Sequence, residues 1–398
     1  MGYVLITGGN LKNKGAQSMV FITVHEMKRR FPQKDIVVVS DIDAVKYADR
    51  PEKDEEFQFL FRDSVCLYGW KYKLVQHRYG KLDRYQDASK IRKNIDMIVD
   101  ISGYTFGSNF WWLSNLLAAY RAKRAKKYQV PIYYMPQSFG PFEWKGVFGK
   151  ITDACIRRWL PYAEVLYARE EEGARLLTEK YGFSNVALSN DLVLLNKGID
   201  LHSVYKKIPD AKVPDINPNS VAILPNVRNY KYGNRESLMK AYRTIIDIQL
   251  AKERTVYLIR HAAEDLVFCK EIKDLYENNC KVVLVEEEFE CWEYEMFVHK
   301  FDYLVASRYH AIVHAYKRQV PCIVLGWATK YQELLGKFGQ EKYALDVRGN
   351  IDSNMLTNIV ERMEKDYSCE SEKIGNILRQ LQKFDVFECM KAGGADGK

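Results

Sequence analysis

Short apolar runs alternate along the chain with longer stretches in which apolar residues recur every three to four positions. The short runs predict strands and the longer ones amphipathic helices. In the first half, strands are predicted over Tyr3–Thr7, Asp35–Val39, Ile95–Ile101, Pro131–Met135, Glu164–Ala168 and a short segment near Val186. Helices are predicted over Ala16–Arg30, Trp112–Lys127, Gly146–Leu160 and Glu170–Tyr181. Residues 41–93 are less regular, rich in Tyr, Lys and Arg, and suggest no definite element.

The alternation stops at Lys206–Asn219, where three prolines stand among polar residues without periodicity, so this stretch reads as a linker. It then restarts with strands over Val221–Leu224, Thr255–Ile259, Lys281–Val285, Phe301–Ala306 and Val320–Leu325. The helices between them cover Ser237–Lys252, Glu264–Glu277, Trp292–Lys300 and Arg308–Arg318. Two amphipathic stretches, Asp352–Lys365 and Glu370–Lys383, close the chain before a frayed tail at Ala392–Lys398. Strand–helix alternation of this kind is the pattern of α/β domains with parallel sheets. The expected architecture is two Rossmann-like doubly wound domains with a central cleft, residues 1–205 and 220–390, joined by the linker 206–219.

Composition narrows the class. With 47% hydrophobic residues among 398, the chain can fill two cores, which excludes wholesale disorder. Sixty Lys and Arg against 52 Asp and Glu leave a net charge of +8, which suits an anionic ligand or surface. No apolar run approaches the roughly 18 residues of a spanning helix. The eight cysteines include no CxxC pair, and the N-terminus enters a strand directly. A reducing, cytoplasmic setting is therefore expected. No nucleic-acid motif appears, so no nucleic-acid partner is expected.

In open parallel sheets, ligands gather beyond the carboxyl ends of the strands, where helix N-termini present free amides. The strand Val221–Leu224 leads into Pro225-Asn-Val-Arg228. Thr255–Ile259 leads into Arg260-His261, with Asp265 on the next turn, and Phe301–Ala306 leads into Ser307-Arg-Tyr-His310. Ser307 is expected to cap a helix whose first turn carries Arg308 and His310. Cations at a helix N-terminus oppose its dipole unless an anion joins them, and Arg offers a planar fork for carboxylate or phosphate. The inference is an anion pocket with a histidine able to move protons. The alternative is structural, with Arg308 paired to a local carboxylate.

Three loops of the first domain, Gly8–Ala16, Ser102–Gly107 and Pro136–Phe142, are expected to face that pocket across the cleft. Gly8–Ala16 lacks dinucleotide and P-loop spacing but offers backbone amides and polar side chains. His310 and His314 stand four apart on one helix. However, Ala311 occupies the place of the glutamate in HExxH and no third ligand is apparent, so no metal is expected. Phe110–Lys127, with an aromatic start and a basic end, reads as a core helix with a solvated tail or as a site of peripheral membrane contact, and the basic aromatic stretch Lys71–Tyr79 suits an acidic acceptor or water.

At these residues the sequence resembles the polysaccharide pyruvyl transferase family. The resemblance runs from about Tyr3 to Phe338. It rests on the order of the Asn-x-Gly turn (Asn13, Gly15), Gln137-Ser-Phe-Gly-Pro141, Ala168-Arg-Glu170, Asn190-Asp191, His261 with Asp265, Ser307-Arg-Tyr-His-Ala311, Pro321 and Lys330. The chain departs from the family in having Ala16-Gln17 where acidic residues are common, and Gly103-Tyr104 in place of a Gly-Gly pair. Both departures lie on the presumed acceptor side.

The resemblance implies a fold like the B-type glycosyltransferases. It also implies phosphoenolpyruvate as a co-substrate, with no other cofactor, and as acceptor a sugar in a surface polysaccharide or its lipid-linked precursor. It implies donor binding by Arg228, Arg308 and His310, with Tyr309 in the same element. His310 and Arg308 are the catalytic candidates. His261 and Lys330 are further donor-side candidates, and Asn13, Gly15 and Gln137 are acceptor-side ones. Two rivals remain: a nucleotide-sugar glycosyltransferase, with Glu286-Glu-Glu288 supplying a ribose-binding carboxylate, and a non-catalytic module that binds anionic glycans.

Overall fold

The computed structural model describes residues 2–40, 55–61, 91, 94–326 and 329–391. The stretch Lys71–Tyr79 and the tail 392–398 lie outside the described residues. The chain divides into two compact units. The first comprises Met1–Lys12, Ala16–Asp210 and Phe384–Lys398, and the second Asn13–Gly15 and Ala211–Lys383.

The first unit is built on parallel strands β1 (Tyr3–Thr7), β2 (Asp35–Ser40), β3 (Gln58–Phe61), β4 (Ile95–Asp100), β5 (Tyr104–Phe106), β6 (Ile132–Phe139), β7 (Val165–Ala168) and β8 (Val186–Leu188). Their order is β3-β2-β1-β4-β6-β7-β8, with β5 paired to β6. Leu5 of β1 stands opposite Val37 on one side and Ile98 on the other. Ala118, Ala122 and Ala125 line the buried face of helix Trp112–Tyr128 and pack in the core with Ile132, Tyr134 and Leu166.

The second unit repeats the plan with β9 (Ser220–Leu224), β10 (Thr255–Ile259), β11 (Val282–Val285), β12 (Leu304–Ala306), β13 (Cys322–Gly326) and β14 (Ala344–Asp346), in the order β11-β10-β9-β12-β13-β14. Every residue of β9 and β10 is buried, as expected of central parallel strands covered on both faces. In each sheet the order reverses beside the first strand, between β1 and β4 and between β9 and β12. Doubly wound folds bind their ligands at this reversal.

Several elements differ from the pattern-based expectation. The loop expected after Met135 is instead strand: β6 runs on through Pro136, Gln137 and Ser138 to Phe139, and β5 forms within Ser102–Gly107 to pair with it. The two closing amphipathic stretches are one helix, Ser353–Leu381. Its polar middle is accommodated because buried Glu370 accepts from Lys342 Nζ at 2.8 Å, Lys373 Nζ at 3.0 Å and Gln340 Nε2 at 2.5 Å. After this helix, Lys391 N donates to Tyr133 Oη at 3.2 Å within the first unit.

Buried ion pairs fix the strand ends of the first unit. Asp100, at the end of β4, accepts from Thr7 Oγ1 of β1 at 2.8 Å, from Ser102 N at 3.1 Å and from Arg121 of the neighbouring helix. Gly8 follows β1 with φ +81°, and a Cβ there would strike Ser102. Arg169, just after β7, donates to Asp191 at 2.6 Å and to Ser138 Oγ at 2.7 Å, while Asp191 caps Val193 N at 2.9 Å. Asp191→Ala would leave the buried Arg169 cation without its main partner and should cost about 3 kcal/mol. Denaturant unfolding measures this loss, and Arg169→Met with Asp191→Leu should recover most of it.

Candidate functional site

The carboxyl rim of the second sheet collects the unusual side chains, and Asp265 lies at its centre. Asp265 is fully buried and ends the short turn Ala263–Asp265 after β10. Its Oδ1 accepts from Val227 N, after β9, at 3.2 Å and from Arg308 Nη2 at 2.6 Å. Its Oδ2 accepts from Ala262 N and from Arg308 Nε, both at 3.0 Å. One carboxylate therefore ties together the ends of β9, β10 and β12. The next residue inward reinforces this: Asn226 Nδ2 donates to Ser307 O at 3.0 Å, and its Oδ1 accepts from Arg228 N at 3.0 Å.

Ser307 is not the helix cap. The helix is Tyr309–Lys317, with Arg308 in the capping position and no side-chain cap. Ser307 is instead drawn into the interior, where its hydroxyl lies 3.0 Å from Tyr242 Oη and its carbonyl also accepts from Tyr331 Oη at 3.2 Å. The anion required by a cation at that helix end is supplied by the protein. The Arg308 fork grips Asp265, and Nη2 also donates to Glu264 Oε1 at 2.9 Å. Burial opposes charge on Arg308, but the two carboxylates outweigh it and keep the guanidinium charged. The structural alternative thus describes the Asp265 side of this residue.

Arg228 is different. It stands at the start of helix Asn229–Tyr232 with its side chain 67% exposed, and its Nη2 approaches Glu264 Oε1 at 3.6 Å. Two guanidinium groups therefore converge on one half-exposed carboxylate oxygen.

His310 is on the first turn of helix Tyr309–Lys317, with Tyr309 edge-on to its ring at 5.4 Å. Gly15, part of the same unit, lies against it: a Cβ on Gly15 would fall 2.2 Å from His310 Cγ. Asn13 Oδ1 accepts from Gly15 N at 3.0 Å. This is the N-cap geometry for helix Lys14–Arg30.

His261 is buried, and neither ring nitrogen has a hydrogen-bond partner among the described residues. Burial, followed by His314, Lys14, His310 and Arg308, holds its imidazole well below the usual histidine range, so the ring is neutral. His314 is also buried and bonds Glu295 Oε1 at 3.1 Å, which places it in the core beside Lys317. Burial opposes ionisation of Glu295, but Lys317 and His314 prevail and lower its carboxyl to about 2. Among the described residues, no group of three or more His, Cys, Asp or Glu is arranged to hold a metal ion.

Gln137 belongs to the first unit. It is fully buried in β6, and neither amide atom has a hydrogen-bond partner among the described residues. The side chain of Lys330 lies outside the described residues; its backbone begins helix Thr329–Lys337. Of the acidic run, Glu286 is paired with Lys270 at 2.6 Å and Glu288 lies 3.9 Å from Arg260.

Lys14 and Glu264 were not selected from the sequence. Lys14 is 5% exposed, and its Nζ donates to His261 O at 3.3 Å and sits 5.7 Å from the Tyr294 ring centroid. Burial first, and then Arg260, lower its pKa to about 8 against the opposing pull of Glu288. The signal for Lys14 was its place in an Asn-x-Gly turn, where the side chain next to the glycine follows the backbone inward.

Two predictions follow from this packing. Gly15→Ala pushes a methyl group into the His310 ring and should destabilise the chain by about 1–3 kcal/mol, read by denaturant unfolding. Lys14 has its folded pKa below its unfolded one, so the unfolded chain binds more protons between about pH 8 and 10.4 and wild-type stability rises across that window. Lys14→Met should therefore melt higher than wild type below pH 8, by a margin on the order of 3 kcal/mol. That margin should shrink as the pH approaches 10; a constant difference contradicts a buried ammonium.

Comparison with known proteins bears on the fold and the family. In fold, the chain is similar to S. aureus MnaA in its UDP co-structure, with TM-score 0.55 and 11% identity over 98% of this chain and 94% of that one. It is similar to UDP-GlcNAc 2-epimerase from Methanocaldococcus jannaschii, with TM-score 0.53 and 14% identity over 96% and 100%. The glycotransferase of kitacinnamycin gives 0.52 and 12% over 96% and 95%. At such identities the likeness speaks for the fold alone, which is GT-B-like. No curated protein matches the sequence. The polysaccharide pyruvyl transferase family profile matches residues 13–329, which include the rim from Asn226 to His310 and the Asn13–Gly15 turn. By that match the chain belongs to the polysaccharide pyruvyl transferase family.

Proposed function

We propose that the chain transfers the pyruvyl group of phosphoenolpyruvate to two hydroxyls of one sugar, in a surface polysaccharide or its lipid-linked precursor, and releases phosphate. The observation that carries this reading is the convergence of Arg228 and Arg308 on Glu264 Oε1. A single carboxylate oxygen marks where two guanidinium groups meet, with His310 two residues from Arg308. Phosphoenolpyruvate carries a carboxylate and a phosphate on one carbon, so it offers both forks a partner. In this account the donor displaces the half-exposed Glu264, while Asp265 keeps Arg308 aimed.

Imidazolium at His310 gives its proton to the methylene carbon, which becomes the methyl group and leaves oxocarbenium character at C2. The helix N-terminus beneath His310 favours that proton's release. A sugar hydroxyl attacks C2, and the neutral imidazole takes its proton, restoring the starting state. The C2–O bond to phosphate then breaks, a second hydroxyl of the same sugar closes the ketal, and its proton leaves with the phosphate. Arg228 and Arg308 neutralise charge on the departing group. His261, neutral and buried, supports the rim from behind, with Lys14 on its carbonyl. No metal or further cofactor enters this scheme. The buried amide of Gln137 is the acceptor-side candidate of the first unit, and Asn13 contributes by capping the helix beside Gly15.

Phosphorus NMR with phosphoenolpyruvate and a panel of hexose and N-acetylhexosamine acceptors tests the reading. Phosphate release should depend on one acceptor. Arg308→Ala and His310→Ala should each lower kcat by about 100-fold or more. Glu264→Gln should lower the KM for phosphoenolpyruvate by about fivefold, because it removes the competing carboxylate. Release at wild-type rate from His310→Ala removes that residue from the mechanism.

A further inference from the structure

Exposed large apolar side chains are scattered singly over most of the chain, but five gather on one face of the first unit: Phe110 (37% exposed), Trp111 (64%), Val147 (71%), Phe148 (57%) and Ile151 (45%). Helix Gly146–Trp159 buries Gly149, Thr152 and Ile156 and turns Val147, Phe148 and Ile151 outward. Phe148 stacks on Trp112 at 4.6 Å and 14°, and Trp111 meets Trp112 edge-on at 6.1 Å. This joins the start of helix Trp112–Tyr128 to the start of its neighbour in one apolar patch. Contiguous exposed apolar surface of this kind marks an interaction site.

The charges around the patch identify its partner. Lys145 precedes Val147 and Phe148, Lys150 stands between Phe148 and Ile151, and Arg158 follows on the same helix. All three are exposed, and none makes an ion pair among the described residues. Beside the helix lies a cavity of about 620 Å³ lined by Lys150, Arg157, Arg158 and Lys180 against Glu143 and Asp153. Four cations against two carboxylates leave this lining cationic. Tryptophan and phenylalanine beside unpaired cations suit a boundary of hydrocarbon and anionic headgroups.

We propose that this face, built from Phe110, Trp111 and the outer side of helix Gly146–Trp159, docks the protein on an anionic phospholipid surface. The aromatic and aliphatic tips enter the headgroup boundary, and Lys145, Lys150 and Arg158 meet lipid phosphates there. No described helix is long and apolar enough to cross a membrane, so the contact is peripheral. The inference stands whether or not the chain transfers pyruvyl groups.

Co-sedimentation of the full chain with phosphatidylcholine vesicles, with and without phosphatidylglycerol, at low and high salt, tests it. Binding should require phosphatidylglycerol and weaken with salt. Trp111→Ser with Phe148→Ser, and separately Lys150→Glu with Arg158→Glu, should each lower it by about tenfold or more. Because both positions of the charge-reversal pair are exposed, it separates docking from loss of folding. Failure to sediment with phosphatidylglycerol vesicles, or sedimentation unchanged by both pairs, would overturn the proposal. Self-association lost in the Trp111/Phe148 pair, without vesicle binding, would also overturn it and assign the face to contacts between copies.

Discussion

The rim of the second sheet depends on Asp265. Its two oxygens accept four hydrogen bonds from three strand ends, two from backbone amides and two from Arg308. A buried carboxylate is costly unless its lone pairs are matched by donors and its charge by a cation. Here both conditions are met by the groups that the rim must hold in place. The arrangement sets the direction of Arg308, the loop that carries Arg228 and the turn that carries Glu264. Of the two carboxylates that Arg308 meets, Asp265 is buried and Glu264 is half-exposed.

The first sheet solves the same problem in the same way. Asp100 at the end of β4 joins β1 through Thr7 and the next helix through Arg121, again beside the reversal of strand order. The strand ends at both reversals are thus pinned from within by an aspartate–arginine pair. Small features then do the local shaping. Gly8 allows close approach to Ser102, and Gly15 allows His310 to rest where any side chain at 15 would displace it.

Much of this was legible in the sequence. Strand and helix periodicities located the central strands closely, because buried parallel strands are continuous apolar runs. Strand-end reasoning also selected Arg228, His261, Arg308 and His310. It placed Asp265 on the following turn but did not identify it as the partner of Arg308, because a carboxylate 43 residues away in sequence gives no local signal. Ser307 reads as a cap in the sequence, because capping chemistry and a buried hydroxyl bonded to Tyr242 look alike in one dimension. The continuation of β6 past Pro136 was hidden by the proline, and β5 by the glycines around it. Phe110–Lys127 reads from its sequence as a core helix with an aromatic start and a basic end, and the helix does bury an alanine face. The exposed apolar surface lies at its start and on helix Gly146–Trp159.

The central claim is that Arg228 and Arg308, with Arg308 held by Asp265, form the binding site for a small donor carrying two anionic groups. Calorimetric titration with phosphoenolpyruvate and, separately, with UDP-N-acetylglucosamine addresses it most directly. The account predicts saturable binding of phosphoenolpyruvate that is lost in the Arg228→Ala and Arg308→Ala variants, and no comparable binding of the nucleotide sugar. Binding of the nucleotide sugar alone, or phosphoenolpyruvate binding indifferent to both arginines, would contradict it.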